Sequence, residues 1–90
     1  MTKREIRHEA VLVRRIERLG GKCLKGEVVA GFPDRIVLLP GGRVAFVELK
    51  TPNGVVSALQ REWMADLKAL GFRVGLCHDI KEVDEFVESL

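Results

Sequence analysis

The sequence lacks the features that define membrane, secreted and disulfide-rich proteins. No apolar run approaches the ~18 residues that a bilayer-spanning helix needs. Residues 1–5 are charged and no apolar stretch follows them, so the start does not read as a signal peptide. Two cysteines, Cys23 and Cys77, are too few for a disulfide scaffold; they indicate an intracellular protein with buried, reduced thiols. Repeats, linkers and low-complexity segments are also lacking, which predicts a single domain over residues 1–90.

Charge is nearly balanced over the chain, at a formal +2, but it is unevenly distributed. Residues 1–25 hold eight lysines and arginines against three acidic residues, whereas residues 79–90 hold one basic residue against five acidic ones. A basic segment suits a polyanionic partner such as a nucleic acid, and it equally suits a helix face exposed to solvent. Charge alone leaves both interpretations open.

Hydrophobic periodicity, capping signals and glycines predict seven elements in the order α-β-β-β-α-β-α. Thr2 and Glu5 form a capping box that opens the first helix, and Ser57 with Gln60 forms a second one further along. Pro40-Gly41-Gly42 predicts the turn of a hairpin. The order indicates an α/β fold in which a mixed sheet is covered by helices. Helices are expected over residues 3–19, 57–70 and 79–90, and strands over 22–25, 35–39, 43–50 and 72–77.

Glu9 is a charged residue at a position where the helical pattern predicts an apolar one. At ~100° per residue it falls in the middle of the apolar face that Ile6, Val13 and Ile16 help to define. A carboxylate buried there must be paired, protonated or bound to a cation, because burying an unpaired charge is costly. The alternative is a glutamate that reaches solvent from the frayed start of the helix.

The strand over residues 43–50 has one polar end. Side chains alternate along a strand, so Glu48 and Lys50 share a face with Phe46 and stand side by side at its carboxyl end. Open α/β sheets place their sites at such strand ends, although a surface ion pair is the simpler alternative. Counting back from the hairpin turn brings Asp34, which follows Gly31-Phe32-Pro33, level with Glu48. Glu9 on the covering helix can approach the same spot.

Two carboxylates and a lysine at one end of a hairpin suit a divalent cation. Mg²⁺ usually takes one or two carboxylates, keeps several waters and adds phosphate oxygens of a substrate. A nearby lysine can donate to a scissile phosphate or to an attacking water. The combination therefore indicates metal-assisted phosphodiester hydrolysis.

Taken in order, these residues resemble the VRR-Nuc family of virus-type replication-repair nucleases, which belongs to the PD-(D/E)xK, or restriction-endonuclease-like, superfamily. A lone Asp…Glu-x-Lys is a weak signal, whereas the complete ordered set is specific and spans nearly the whole chain. That set comprises Glu9, Gly20-Gly21, Lys25, Gly31-Phe32-Pro33-Asp34-Arg35, Pro40-Gly41-Gly42, Val47-Glu48-Leu49-Lys50, Gln60 and Trp63.

The resemblance implies a metal centre and a catalytic group. Asp34, Glu48 and the backbone carbonyl of Leu49 match ligands for Mg²⁺ or Mn²⁺, and Lys50 matches the catalytic lysine. Glu9 matches an acidic residue of the first helix that adds a ligand or orients metal-bound water. It is the third catalytic carboxylate that the resemblance implies, beside Asp34 and Glu48.

The resemblance also implies three polar contacts around that centre. Gln60 matches a catalytic glutamine that orients the lysine or the phosphate, although capping with Ser57 competes for the same amide. Lys25 matches a basic position near the scissile strand, and Arg35 is expected to contact DNA with it. The alternative for Lys25 is a surface lysine at a strand end.

Small stand-alone members of the family are homodimers that cut four-way DNA junctions. The resemblance therefore implies a Mg²⁺- or Mn²⁺-dependent endodeoxyribonuclease of phage type, acting on branched DNA in the host cytoplasm without a membrane or an organic cofactor. The alternatives are a nuclease for flaps or other branched DNA, an enzyme for branched RNA, and a non-catalytic DNA-binding module. Apolar side chains around Trp63, Phe86 and Val87 are expected to form the dimer interface.

Overall fold

A computed structural model describes residues 6–90 and contains all seven predicted elements in the predicted order. The predicted capping box of Thr2 and Glu5 lies outside the described residues. The box of Ser57 and Gln60 is present with both of its hydrogen bonds, and the Asp79 side chain caps the last helix. The elements are α1 (Arg7–Arg18), β1 (Lys22–Lys25), β2 (Arg35–Leu39), β3 (Arg43–Leu49), α2 (Ala58–Ala69), β4 (Arg73–Cys77) and α3 (Ile80–Glu88).

The four strands form one mixed sheet in the order β1-β2-β3-β4. β1, β2 and β3 pair antiparallel, and β4 joins β3 in parallel after the crossover through α2. The β2–β3 turn contains Gly41 and Gly42 at φ +83° and +74°, a conformation that L side chains rarely adopt. The expectation of a mixed sheet covered by helices is confirmed.

One face of the sheet packs against α1 and α3 and holds the main core. Ala45, Val47 and Leu49 lie in this core, as the alternation along β3 predicts. They pack with buried side chains of both helices such as Leu12 and Val83. An ion pair between Arg15 and Asp84, at 3.1 Å, further joins α1 to α3.

The opposite face of the sheet carries a row of aromatic rings below α2. Phe32 meets Phe46 edge to face at 5.5 Å between centroids, and it meets Trp63 of α2 at 5.2 Å. Phe46 in turn meets Phe72 at 5.2 Å. Such pairs favour edge-to-face contact because a positive ring edge meets a negative ring face. The row therefore fixes the segment before β2, which carries Asp34.

Phe86 was expected to lie in a dimer interface, and this expectation is wrong. Phe86 is buried in the core, and a Cβ added at Gly75 would lie 2.5 Å from its ring. Trp63 packs on Phe32 and is half-buried. The helical spacing that suggested an apolar surface describes the core side of α3 instead, because a short helix over a sheet has only one apolar stripe to bury.

The two cysteines occupy the strands on which they were expected. Cys77 is buried and Cys23 is half-buried, and both thiols are free. Burial raises the pKa of each thiol to about 11, so neither is a thiolate near neutral pH. None of the helices in the described part of the chain combines the length and the apolar character that crossing a membrane requires.

Candidate active site

Asp34 is held by its backbone and by its side chain at the start of β2. The β2–β3 register pairs Arg35 with Val47, which places Asp34 level with Glu48 as predicted. One carboxylate oxygen of Asp34 accepts a hydrogen bond of 2.9 Å from the Leu49 N–H. Its backbone carbonyl accepts one of 2.7 Å from the Gly26 N–H. Asp34 is exposed, so its second carboxylate oxygen can face a ligand.

Gly26 permits this arrangement through a close backbone approach. A Cβ added at Gly26 would lie 2.0 Å from the Pro33 carbonyl oxygen, a distance that no side chain can tolerate. Only glycine lets the segment after β1 lie this close to the residue before Asp34. Gly26 was not among the predicted site residues. Its position directly after the strand predicted over residues 22–25 is the one feature of the sequence that could have indicated it.

Glu48 is the most unusual residue of the site, because its carboxylate is 1% exposed. One of its oxygens lies 3.4 Å from the Lys50 ammonium. The other oxygen is buried and has no hydrogen-bond partner among the described residues. Burial raises the pKa of Glu48 above its ordinary value, and the charge of Asp34 raises it further, while Lys50 and the backbone N–H of Asp34 act in the opposite direction. Such a group is costly unless a ligand satisfies it.

Lys50 follows β3 directly and shares the face of Glu48, as the alternation predicts. Its side chain is 19% exposed. Its backbone N–H donates to the Cys77 carbonyl at 3.0 Å, which extends the β3–β4 pairing by one residue. Lys50, Glu48 and Asp34 therefore form one polar group where β2 begins and β3 ends.

Glu9 is paired with Arg35, and among residues 6–90 it does not join Asp34 and Glu48 in a cluster of three carboxylates that could hold a metal. One Glu9 carboxylate oxygen accepts from the Arg35 Nε at 2.7 Å, and a second guanidinium nitrogen donates to the Cys23 carbonyl at 3.1 Å. The Arg35 side chain is 12% exposed and that of Glu9 28%. Glu9 was expected to need a partner, and Arg35 is that partner. The paired Arg35 side chain has little exposed surface with which to contact DNA.

Gln60 lies in the first turn of α2, and Lys25 ends β1. The amide oxygen of Gln60 accepts from the Ser57 N–H at 2.9 Å, so capping uses this oxygen, and the amide nitrogen is the part left for a ligand. Lys25 is exposed at the end of β1, opposite Arg35 in the strand register. The position of Lys25 is compatible with a contact to a long polyanion that crosses the sheet edge.

The donor set fits a hard divalent cation with few protein ligands. Within residues 6–90, no group of three or more acidic, histidine or cysteine side chains is arranged to hold a metal. Asp34 and Glu48 supply two carboxylates, and Leu49, whose carbonyl is the expected third ligand, lies between Glu48 and Lys50. Mg²⁺ is commonly bound by one or two carboxylates together with waters and phosphate oxygens. The unpaired buried oxygen of Glu48 is the atom that such a cation would satisfy.

The sequence matches a known family model over most of its length. The sequence model of the VRR-NUC domain matches residues 2–79, and the chain therefore belongs to the VRR-NUC family. The expected resemblance to nucleases of this family is confirmed.

The chain is also similar to two individual proteins. A protein called "Putative nuclease p44", from Acyrthosiphon pisum secondary endosymbiont phage 1, is 38% identical over 73 residues, which are 79% of this chain and 78% of that protein. A solved structure titled "VRR_NUC domain" superposes with a TM-score of 0.81 at 32% identity, covering 91% of each chain.

Proposed function

We propose that this VRR-NUC protein hydrolyses DNA phosphodiester bonds with the help of Mg²⁺ or Mn²⁺. The observation that carries the proposal is the buried, unpartnered oxygen of Glu48 beside Asp34 and Lys50. A protein that used these residues only for stability would gain by pairing that oxygen or replacing it with an apolar group. A cation that binds this Glu48 oxygen during function would explain why the oxygen has no partner among the described residues.

Asp34, Glu48 and the Leu49 carbonyl would hold the cation, which when bound would polarise the phosphate and favour deprotonation of water. The chain's own residues supply the rest of the chemistry. The Leu49 N–H orients the Asp34 carboxylate. The Lys50 ammonium, held beside Glu48, is a cationic donor for a phosphate oxygen or for the attacking water.

The proposed substrate is branched DNA, with a four-way junction cut by a homodimer. A four-way junction is roughly two-fold symmetric, and paired cuts in opposed strands require two active sites. A two-fold dimer supplies both and uses one surface twice. Exposed apolar side chains near the site are compatible with such a surface: Val28 and Val29 lie in the loop before Gly31, and Leu59 of α2 packs against that glycine.

The deciding experiment is cleavage of single-stranded, duplex, flap and four-way DNA, with matched branched RNA, in Mg²⁺, Mn²⁺ or EDTA. The expected result is metal-dependent cutting of the four-way junction in opposed strands. Lys50→Ala should bind Mn²⁺ normally and cut at least ~100-fold more slowly, because it removes a proton donor and no ligand. Lys81→Ala, on the exposed side of α3, is the matched control and should cut at the wild-type rate.

Each outcome of this panel decides a different part of the proposal. Binding without cutting under every condition would favour a non-catalytic module, and preferential cutting of flaps or of RNA would reassign the substrate. Light scattering tests the dimer: twice the 10.1 kDa chain mass is expected. A monomeric mass with nicking of single strands would reject the junction proposal and leave the nuclease proposal standing.

A further inference from the structure

His8 is a buried histidine that lies next to the site and that the proposed chemistry does not use. It is 6% exposed and belongs to the first turn of α1. Its Nε2 lies 3.1 Å from the Cys77 carbonyl oxygen. A carbonyl only accepts hydrogen bonds, so Nε2 must carry the proton in this contact, which fixes the tautomer of the ring.

The Cys77 carbonyl receives a second hydrogen bond that connects it to the site. The Lys50 N–H donates to the same oxygen at 3.0 Å. His8 and the backbone of Lys50 are thus joined through one shared acceptor, although α1 packs chiefly on α3 and β1. The connection runs across the carboxyl ends of β3 and β4, where Lys50 leaves the sheet.

The surface beside this connection is concave. A cavity of about 350 Å³ that opens to solvent borders it, and its lining includes Arg7, His8, Thr51 and Pro52, the last two of which follow Lys50 directly. Side chains do not fill the space beside the exit of the chain from β3. The hydrogen bond from the Lys50 N–H therefore restrains the Lys50 backbone, and the His8 bond helps to fix the carbonyl that accepts it.

We propose that His8 is a positioning residue for Lys50, acting through the Cys77 carbonyl. This inference rests on the proposed function, in which the Lys50 ammonium donates to the phosphate or the water. A donor displaced by a fraction of an ångström loses much of its effect, because a misplacement of ~1 Å can cost ~100-fold in rate. His8 touches none of the reacting groups; it acts through the Leu49–Lys50 peptide, which carries both the Lys50 N–H and the Leu49 carbonyl.

Two amide variants test the inference, because glutamine and asparagine reach different atoms of a histidine ring. The glutamine amide nitrogen can occupy the place of Nε2, whereas the shorter asparagine reaches only the place of Nδ1. His8→Gln should keep at least half of wild-type kcat, and His8→Asn should lose about tenfold. KM for DNA should not change in either variant, whereas the affinity for Mn²⁺ should fall in His8→Asn and stay near wild type in His8→Gln, because the Leu49 carbonyl belongs to the same peptide group as the Lys50 N–H.

Hydrogen exchange of the Lys50 amide, measured by NMR, gives a readout that does not depend on activity. It should accelerate in His8→Asn relative to His8→Gln, while amides of the β1–β2 pairing exchange as in the wild type. If His8→Asn does not fold, His8→Ala should regain part of its kcat in the presence of imidazole, for which the cavity offers space beside the missing ring.

The proposed function and the role of His8 can be refuted separately. Absence of cleavage by the wild-type protein on every substrate and metal would overturn the proposed function, whereas the exchange measurement would still test the connection to Lys50. A wild type that cuts, together with equal kcat and equal Lys50 exchange in the glutamine and asparagine variants, would overturn the inference. Imidazole without effect on a folded His8→Ala would overturn it as well.

Discussion

Replacing Glu48 by glutamine should stabilise the protein in the absence of metal. The carboxylate is 1% exposed and one of its oxygens has no partner among the described residues. Glutamine keeps the shape and removes the charge, and an uncharged amide is cheaper to bury than an unsatisfied carboxylate. The proposed cation site predicts a gain in stability because the wild type leaves this atom unpaired for a ligand.

The expected gain is small and measurable. An unsatisfied buried polar group costs about 1–3 kcal/mol and an unsatisfied buried charge costs more, so glutamine, which leaves an amide atom in the same place, gains only the difference. The substitution also removes the attraction between the buried Glu48 carboxylate and the Lys50 ammonium across 3.4 Å, which offsets part of this gain. The net gain is about 1 kcal/mol, which corresponds to about 4–8 °C in Tm for a domain of this size. Glu62→Gln, the same change on the exposed side of α2, should stay within about 0.5 kcal/mol of wild type.

Thermal unfolding with and without Mn²⁺ measures both parts of this prediction. At ten times its Kd, the ion should stabilise the wild type by about 1.4 kcal/mol, and it should stabilise Glu48→Gln much less. EDTA should reverse the stabilisation. A Glu48→Gln protein that is less stable than wild type and equally stabilised by Mn²⁺ would refute the reasoning, because it would make Glu48 a structural residue with a partner that the structure does not reveal.

Three other changes probe the remaining polar contacts. Asp34→Asn keeps an acceptor for the Leu49 N–H but removes a charge, so calorimetry should show at least tenfold weaker Mn²⁺ binding with little loss of stability. A double-mutant cycle of Glu9→Gln and Arg35→Gln, followed by urea unfolding, should give a coupling free energy of about 1–2 kcal/mol, since the pair is mostly buried; a coupling near zero would contradict the pairing. The His78 backbone and ring donate to Glu82 and lower its pKa below the ordinary 4.5, so their contribution to stability is present above pH 4.5 and is lost as pH falls through the lower folded-state value. Urea titrations from pH 6 to pH 3 should therefore show a shallower acid loss in Glu82→Gln, and an unchanged slope would argue against these bonds.

The polar end of β3 was predictable because strand geometry is periodic. Alternation alone separates Glu48 and Lys50 from Val47 and Leu49, and the hairpin count alone brings Asp34 level with Glu48. The two internal caps were predictable for a similar reason, because their hydrogen bonds join residues three positions apart. Local rules of this kind depend on few residues, so they hold however the helices and strands pack together.

The partner of Glu9 and the burial of Phe86 were not predictable from such rules. A helical projection shows that Glu9 faces inward, but which cation it meets depends on how α1 lies over β1 and β2. Likewise, the spacing of apolar residues in α3 gives a stripe without saying whether the sheet or a second molecule covers it. The structure answers both questions through contacts between residues that are 26 and 11 positions apart in sequence.

The site is held by its backbone, and this leaves its side-chain atoms free for chemistry. The Asp34 carbonyl is bound by Gly26, and the Lys50 N–H is bound by the Cys77 carbonyl. Only one side-chain oxygen of Asp34 is used, to fix its direction against the Leu49 N–H. Because these bonds supply the positioning, no protein group has to hold the buried oxygen of Glu48 in place, and its cost is offset when a ligand binds it. An arrangement that places charged groups within reach of one another and leaves one of their oxygens unsatisfied is preorganised for an ion that arrives from solution.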